Sequence, residues 1–315
     1  MKKIVSVFIS VLMLSALFAG CIALQDSQSS AEERSTAPKH TSRPPPKPAY
    51  QPVYAHNANQ PIKWKDENFK HLIYDAMGWD YATEVCPLDF SNVKTLFILS
   101  DQAILINQSP MWDLEPEENG TDYIWNGVTY TESVSMNLDD LINFISLEEL
   151  KVCLVDVETI NFLPYIHHLK YLWMSGCKID DISVLPKCTN VRELRMPGNN
   201  ISDISPVVGM DLWDLFLPHN NITDISPLAE MAKLPDELVL SFNNISDISA
   251  IAPAGRADTL AYLNLRNNNI SDISALDDYT GIGILSLSYN NIADFSPIDD
   301  LPYTNTIYRI GNPAA

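Results

Sequence analysis

LRMPGNNISDISPV at residues 194–207, LFLPHNNITDISPL at 215–228, LVLSFNNISDISAI at 238–251, LNLRNNNISDISAL at 263–276 and LSLSYNNIADFSPI at 285–298 are near-copies of one segment. The first leucine of each LxLxxN core serves as a marker. Markers fall at Leu172, Leu194, Leu215, Leu238, Leu263 and Leu285, with Leu150 before them and Ile307 after. Their spacings are 22, 22, 21, 23, 25, 22 and 22 residues, the longest holding an insertion between Ala252 and Thr259. A period of this length predicts a solenoid, whose units bury their apolar faces only against neighbours.

Within each unit, LxL reads as a strand with its leucines pointing inward and the residues between them pointing out. Asn199, Asn220, Asn243, Asn268, Asn290 and Asn312 follow the strands. Their amides can bond backbone groups that a turning chain leaves unpaired. Ile201, Ile222, Ile245, Ile270 and Ile292 then return to the core. So short a unit leaves room on its far side for extended chain or one 3₁₀ turn. The recurring SPL or SPI suits that turn, with serine as cap and proline at the first position. The pattern resembles the leucine-rich repeat family in the short bacterial form of internalin-like surface proteins. The fold that this resemblance implies is a leucine-rich repeat solenoid of α/β type, with short parallel strands on the concave face, an extended or 3₁₀ convex side and an N-terminal helical cap.

Working outward, residues 64–78 place Phe69, Leu72, Ile73 and Ala76 on one helical face, with Asp66 as N-cap and Gly78 as stop. The cap is expected over 62–92, an irregular first repeat over 93–149 and regular repeats over 150–315. Inside the first repeat, about 100–135 reads as an insertion. Its Asn126-Gly127, flanked by Tyr123, Trp125, Val128 and Tyr130, is a hairpin signal. Those aromatics either pack onto the first repeats or project as part of a recognition surface. Gly311-Asn312-Pro313 keeps the asparagine in phase while Arg309 replaces the second leucine, so the array is expected to finish there.

Residues 1–20 carry Lys2, Lys3 and an apolar run, as a secretory signal does. Phe18-Ala19-Gly20-Cys21 resembles the lipobox of bacterial lipoproteins, with Phe18 where leucine is usual. That resemblance implies cleavage before Cys21 and a lipid anchor on its thiol, facing outward from the cell envelope. Residues 21–61 are rich in Pro and Ser and poor in aliphatic side chains, and are expected to form an extended tether.

Forty acidic against 20 basic residues give a formal charge of −20, which argues against a nucleic-acid partner. Cys86, Cys153, Cys177 and Cys188 form no metal-site or CxxC spacing. Cys177 stands where later repeats have asparagine, a place where the repeat family also uses cysteine, and reads as a reduced structural thiol. Asp181, Asp203, Asp224, Asp247, Asp272 and Asp294 recur once per turn. They could form a calcium ladder, or each could accept bonds from the amides of the turn just after it. With no glycine-rich calcium nonapeptide beside the column, the second reading is favoured. The Asn-Ile-Ser/Thr sequons are by-products of the repeat.

No GxSxG, HExxH, GxxxxGK or Rossmann glycine pattern is present, and His167-His168 has no spaced third ligand. The chain therefore reads as a binding protein, with no catalytic residue, metal or cofactor expected. What remains is the outward row between the marker leucines. The expected binding face comprises Tyr171, Trp173, Arg195, Asp214, Phe216, Val239, Tyr262 and Asn264. A protein or peptide partner is expected there, through aromatic and arginine anchors. A glycan stacked on Tyr171, Trp173 and Tyr262 is the alternative.

Overall fold

Asp66 opens the ordered cap by accepting the amides of Asn68 at 2.8 Å and Phe69 at 3.0 Å, two donors that a helix start leaves unbonded. Helix α1 (Glu67–Met77) follows and stops at Gly78, whose left-handed φ of 66° suits glycine. The computed structural model describes residues 58–103, 133–253, 259–301 and 303–313, with backbone alone at 104–106, 117–119, 122–125 and 128–130. The expected signal, Cys21, most of the tether and the 254–258 insertion lie outside the described residues.

Phe69, Leu72 and Ile73 of α1 are buried, together with Tyr74. Ala76, expected on that face, is exposed. Tyr74 takes its place because its ring meets Trp64 and Trp79 edge-on and its hydroxyl donates to the Thr83 carbonyl at 2.6 Å. The cap is then bolted to the solenoid by buried Asp140. Its Oδ2 accepts the Lys65 amide at 2.6 Å and the Asp66 amide at 3.3 Å, while Lys65 Nζ pairs with Asp139 at 3.0 Å.

The strands are β1 (Thr95–Leu99), β2 (Gln102–Ile106), β3 (Glu117–Asn119), β4 (Asp122–Trp125), β5 (Val128–Tyr130), β6 (Val134–Ser135), β7 (Glu149–Cys153), β8 (Val155–Asp156), β9 (Tyr171–Ser175), β10 (Glu193–Arg195), β11 (Asp214–Phe216), β12 (Glu237–Val239), β13 (Thr259–Asn264), β14 (Gly281–Ser286) and β15 (Thr306–Tyr308). One sheet runs β15-β14-β13-β12-β11-β10-β9-β7-β1-β2. All its pairs are parallel except β1 with β2. The antiparallel β2 edge is absent from the repeat pattern and closes the first turn's open backbone. Leu96, Leu150, Leu172, Leu194, Leu215, Leu238, Leu263, Leu285 and Ile307 stand opposite one another in sequence, so the marker register is the physical one.

Residues 112–132 belong to a separate compact unit. In it β3, β4 and β5 form an antiparallel sheet, with Trp125 opposite Val128 as a two-residue hairpin loop produces. The facing of Tyr123, Trp125, Val128 and Tyr130 lies outside the described residues.

Each ladder asparagine does the work of a turn in the backbone. Asn220 Nδ2 donates to Met196, Leu217 and Pro218 carbonyls at 2.9, 3.2 and 3.2 Å, and its Oδ1 accepts Ile201 N–H at 3.0 Å. Asn199, Asn243, Asn268, Asn290 and Asn312 repeat the arrangement. Just before each stands a residue with left-handed backbone: Gly198, His219, Phe242, Asn267, Tyr289 and Gly311. At Gly311 a Cβ would lie 2.6 Å from the Tyr289 ring, so no larger residue fits without displacing it.

The convex side carries 3₁₀ turns such as Ser205–Val207 and Ser226–Glu230. Here the aspartate column caps the turns. Asp181, Asp203, Asp224, Asp247, Asp272 and Asp294 each accept the amide of the serine two residues on, at 2.7–2.8 Å. From Asp203 onward the serine is thus the first residue of the turn rather than its cap, whereas Ser183 precedes its turn, Leu185–Lys187, by two residues. The serine hydroxyl and amide at Asp181, and the serine amide and then hydroxyl at Asp224, Asp247, Asp272 and Asp294, hold these carboxyls below the usual range.

None of Cys86, Cys153, Cys177 and Cys188 is in a disulfide. Cys177 Sγ donates to the Ser175 and Val152 carbonyls at 3.3 and 3.4 Å, taking the asparagine's role with a smaller group. No helix among the described residues is long and apolar enough to cross a membrane.

Candidate functional site: the concave face

Register along the sheet sorts the outward side chains into rows. One row aligns Lys151, Trp173, Arg195, Phe216, Val239 and Asn264. The other aligns Glu149, Tyr171, Glu193, Asp214, Glu237 and Tyr262. Neighbouring strands lie roughly 5 Å apart, so groups in one row touch along it.

The first row alternates cation and ring. Lys151 Nζ lies 5.2 Å from the Trp173 ring centre, and the Arg195 guanidinium lies 5.7 Å from both Trp173 and Phe216. Such contacts hold flat groups face to face. Arg195 also spans to the second row, placing Nε at 2.8 Å and Nη2 at 2.6 Å on one oxygen of Asp214, Oδ2. Oδ1 of Asp214 and the indole Nε1 of Trp173 are buried with no hydrogen-bond partner among the described residues.

The second row is acidic. Glu149 meets Lys151 at 3.5 Å and accepts from the Thr95 hydroxyl at 3.2 Å. Burial lifts the carboxyls of Glu193 and Glu237 to about 7 each, with Arg195 opposing the rise and Asp214 adding to it. Asp214 is lifted too, by burial against the pull of Arg195. Desolvation dominates at all three.

Among the eight residues expected on the face, Tyr171, Trp173, Arg195 and Phe216 are half-buried and reach solvent together on adjacent turns. Asp214, Val239, Tyr262 and Asn264 are instead covered, at 4%, 2%, 5% and 0% exposure. An inwardly curved sheet brings large side chains over small ones, and the Tyr262 hydroxyl folds back to accept from Asn264 Nδ2 at 2.8 Å. The open part of the expected face is therefore narrower and shifted toward β9–β11. Lys151 stands outside the expected set, yet the Leu150 marker places it in the row beside Trp173. His167 and His168 are exposed.

A second line of contacts, unforeseen from the sequence, follows the left-handed positions. His219 and Phe242 rings stack at 4.0 Å, and Arg266 lies 5.7 Å over Phe242 and 4.6 Å over Tyr289.

Residues 236–295 match the family described as leucine rich repeat. The chain has a leucine-rich repeat fold. Internalin C2 of Listeria monocytogenes is similar over 79% of this chain and 97% of its own, at 19% identity and a TM-score of 0.58. A second Listeria monocytogenes internalin, inlF, covers 84% of this chain and 86% of its own at 21% identity, with a TM-score of 0.47. A leucine-rich repeat protein of Leptospira interrogans covers 58% and 59% at 17% identity, with a TM-score of 0.39. No curated protein matches the chain. The repeat architecture is thus shared with internalin C2.

Proposed function

We propose that the protein is a non-catalytic, envelope-anchored receptor that grips a protein or peptide partner on the concave face of its leucine-rich repeats. The observation that carries this reading is the row Lys151–Trp173–Arg195–Phe216. Its rings are locked by flanking cations and still reach solvent. Rigid aromatic and arginine groups at the centre of a patch are the usual anchors of protein recognition. Anchoring through Cys21 rests on the lipobox resemblance alone. The glycan alternative is left with Tyr171 and Trp173, because buried Tyr262 offers no stacking face.

A random heptapeptide display library panned on the full chain tests the reading. Selected peptides are expected to weaken at least about tenfold against the Trp173→Ala/Phe216→Ala variant. Peptides bound equally by both proteins would remove the concave face from the account. Anchoring is tested separately by labelled-palmitate incorporation, which Cys21→Ala should abolish.

A further inference from the structure

We infer that this face seats one cationic group of its partner, a lysine or arginine side chain, across Glu193 and Glu237. The inference rests on the recognition reading above and adds the chemistry of the ligand. β10, β11 and β12 hold Glu193, Asp214 and Glu237 side by side in one row. Among the described residues the cation set against this row is Arg195, whose Nε and Nη2 both lie on Asp214 Oδ2. Nearby basic groups are engaged elsewhere: Lys151 with Glu149, Lys170 with Glu148, Lys233 with Asp236. Three carboxylates thus share one guanidinium.

An independent feature points to a missing donor. Asp214, on the strand between the two glutamates, is 4% exposed, and its Oδ1 is buried without a hydrogen-bond partner among the described residues. An open carboxylate oxygen in such a place is costly unless something donates to it. A metal ion is a poor fit, since no three His, Cys, Asp or Glu among the described residues converge as ligands. A guanidinium or ammonium, with donors spread over several ångströms, can bridge groups on separate strands.

Charged and titratable neighbours of the pair are Glu149 on β7, Tyr171 on β9, Arg195 on β10, Asp214 on β11, Asp236 beside β12 and Tyr262 on β13. In this setting both glutamates are partly protonated near neutral pH. An arriving cation favours their ionised forms, so binding releases protons.

The test uses the peptides selected on the full chain. A basic residue is expected in the binders, and norleucine in place of lysine should weaken binding about tenfold or more. That loss should vanish in Glu193→Gln/Glu237→Gln, and the binding heat at pH 6.5 should depend on the buffer's ionisation enthalpy. The norleucine arm needs no change in the protein, and glutamine keeps the shape of the site. Peptides that need Trp173 and Phe216 but carry no basic residue overturn the cation seat and leave the recognition reading standing. The same holds for an equal norleucine loss in parent and variant. Binders indifferent to Trp173 and Phe216, or none at all, remove both.

Discussion

Asn220 accepts the amide of Ile201 at 3.0 Å, across the boundary between two turns. The same side chain donates to the Met196 carbonyl at 2.9 Å, also in the earlier turn. Asn220→Ala therefore strands buried backbone groups in two turns at once. It should cost about 2–4 kcal/mol, read as a lower urea midpoint at unchanged slope.

Arg195→Met should cost about 3–5 kcal/mol at pH 7, because it leaves buried Asp214 without its counter-ion and removes the slab between Trp173 and Phe216. The deficit should be smaller at pH 5 than at pH 7, because burial lifts the Asp214 carboxyl and the variant lacks the guanidinium that opposes the rise. Equal deficits at both pH values would show that lost packing, and not the stranded charge, governs the effect.

Glu193 and Glu237 sit at about 7 when folded, above the ordinary glutamate value of 4.5. Between those values the folded chain holds more protons than the unfolded one, so stability is lost as pH rises through 5 to 8. Glu193→Gln/Glu237→Gln should flatten that decline and raise stability at pH 8 by on the order of 1–3 kcal/mol per site. Parallel stability–pH curves for parent and variant would contradict the assignment.

Burial pushes the thiols of Cys177 and Cys188 up to about 12. Native protein treated with a thiol reagent at pH 8 should therefore react at half-buried Cys86 first, with Cys177 and Cys188 protected until denaturant is added. Peptide mapping of the labelled sites reads this directly.

Asp224→Ala should cost about 1 kcal/mol by uncapping the turn that begins at Ser226, whereas a chelator should leave the melting temperature unchanged. A chelator effect as large as the mutation would revive a calcium role for the column.

The repeat was legible because its constraints are periodic. Leucine, asparagine, isoleucine and aspartate each answer one backbone or core demand per turn, and the register they set is the observed one. The antiparallel β2 edge was not legible, since it occurs once and has no period. Exposure along the concave rows also escaped, as alternation says which way Tyr262 and Asn264 point but not whether neighbours cover them. The left-handed residues escaped for a related reason. His219, Phe242 and Tyr289 share a backbone angle rather than a side chain, and bulky residues there cost about 1–3 kcal/mol each.

The asparagine ladder reaches one way only. Asn199, Asn220, Asn243, Asn268, Asn290 and Asn312 complete their own turn and the one before it. Removing a turn at the high-numbered end strips its predecessor of an amide acceptor and a carbonyl donor, as loss of Asn312 would do to Ile292 and Leu287. Removing one at the low-numbered end takes partners too: without its predecessor Asn220 loses the Met196 acceptor and the Ile201 donor, and keeps only the Leu217 and Pro218 carbonyls of its own turn. Each turn therefore holds its neighbour as firmly as it is held, so the array melts as coupled pairs of turns rather than single ones, with β2 and α1 adding a further closure at the low-numbered end.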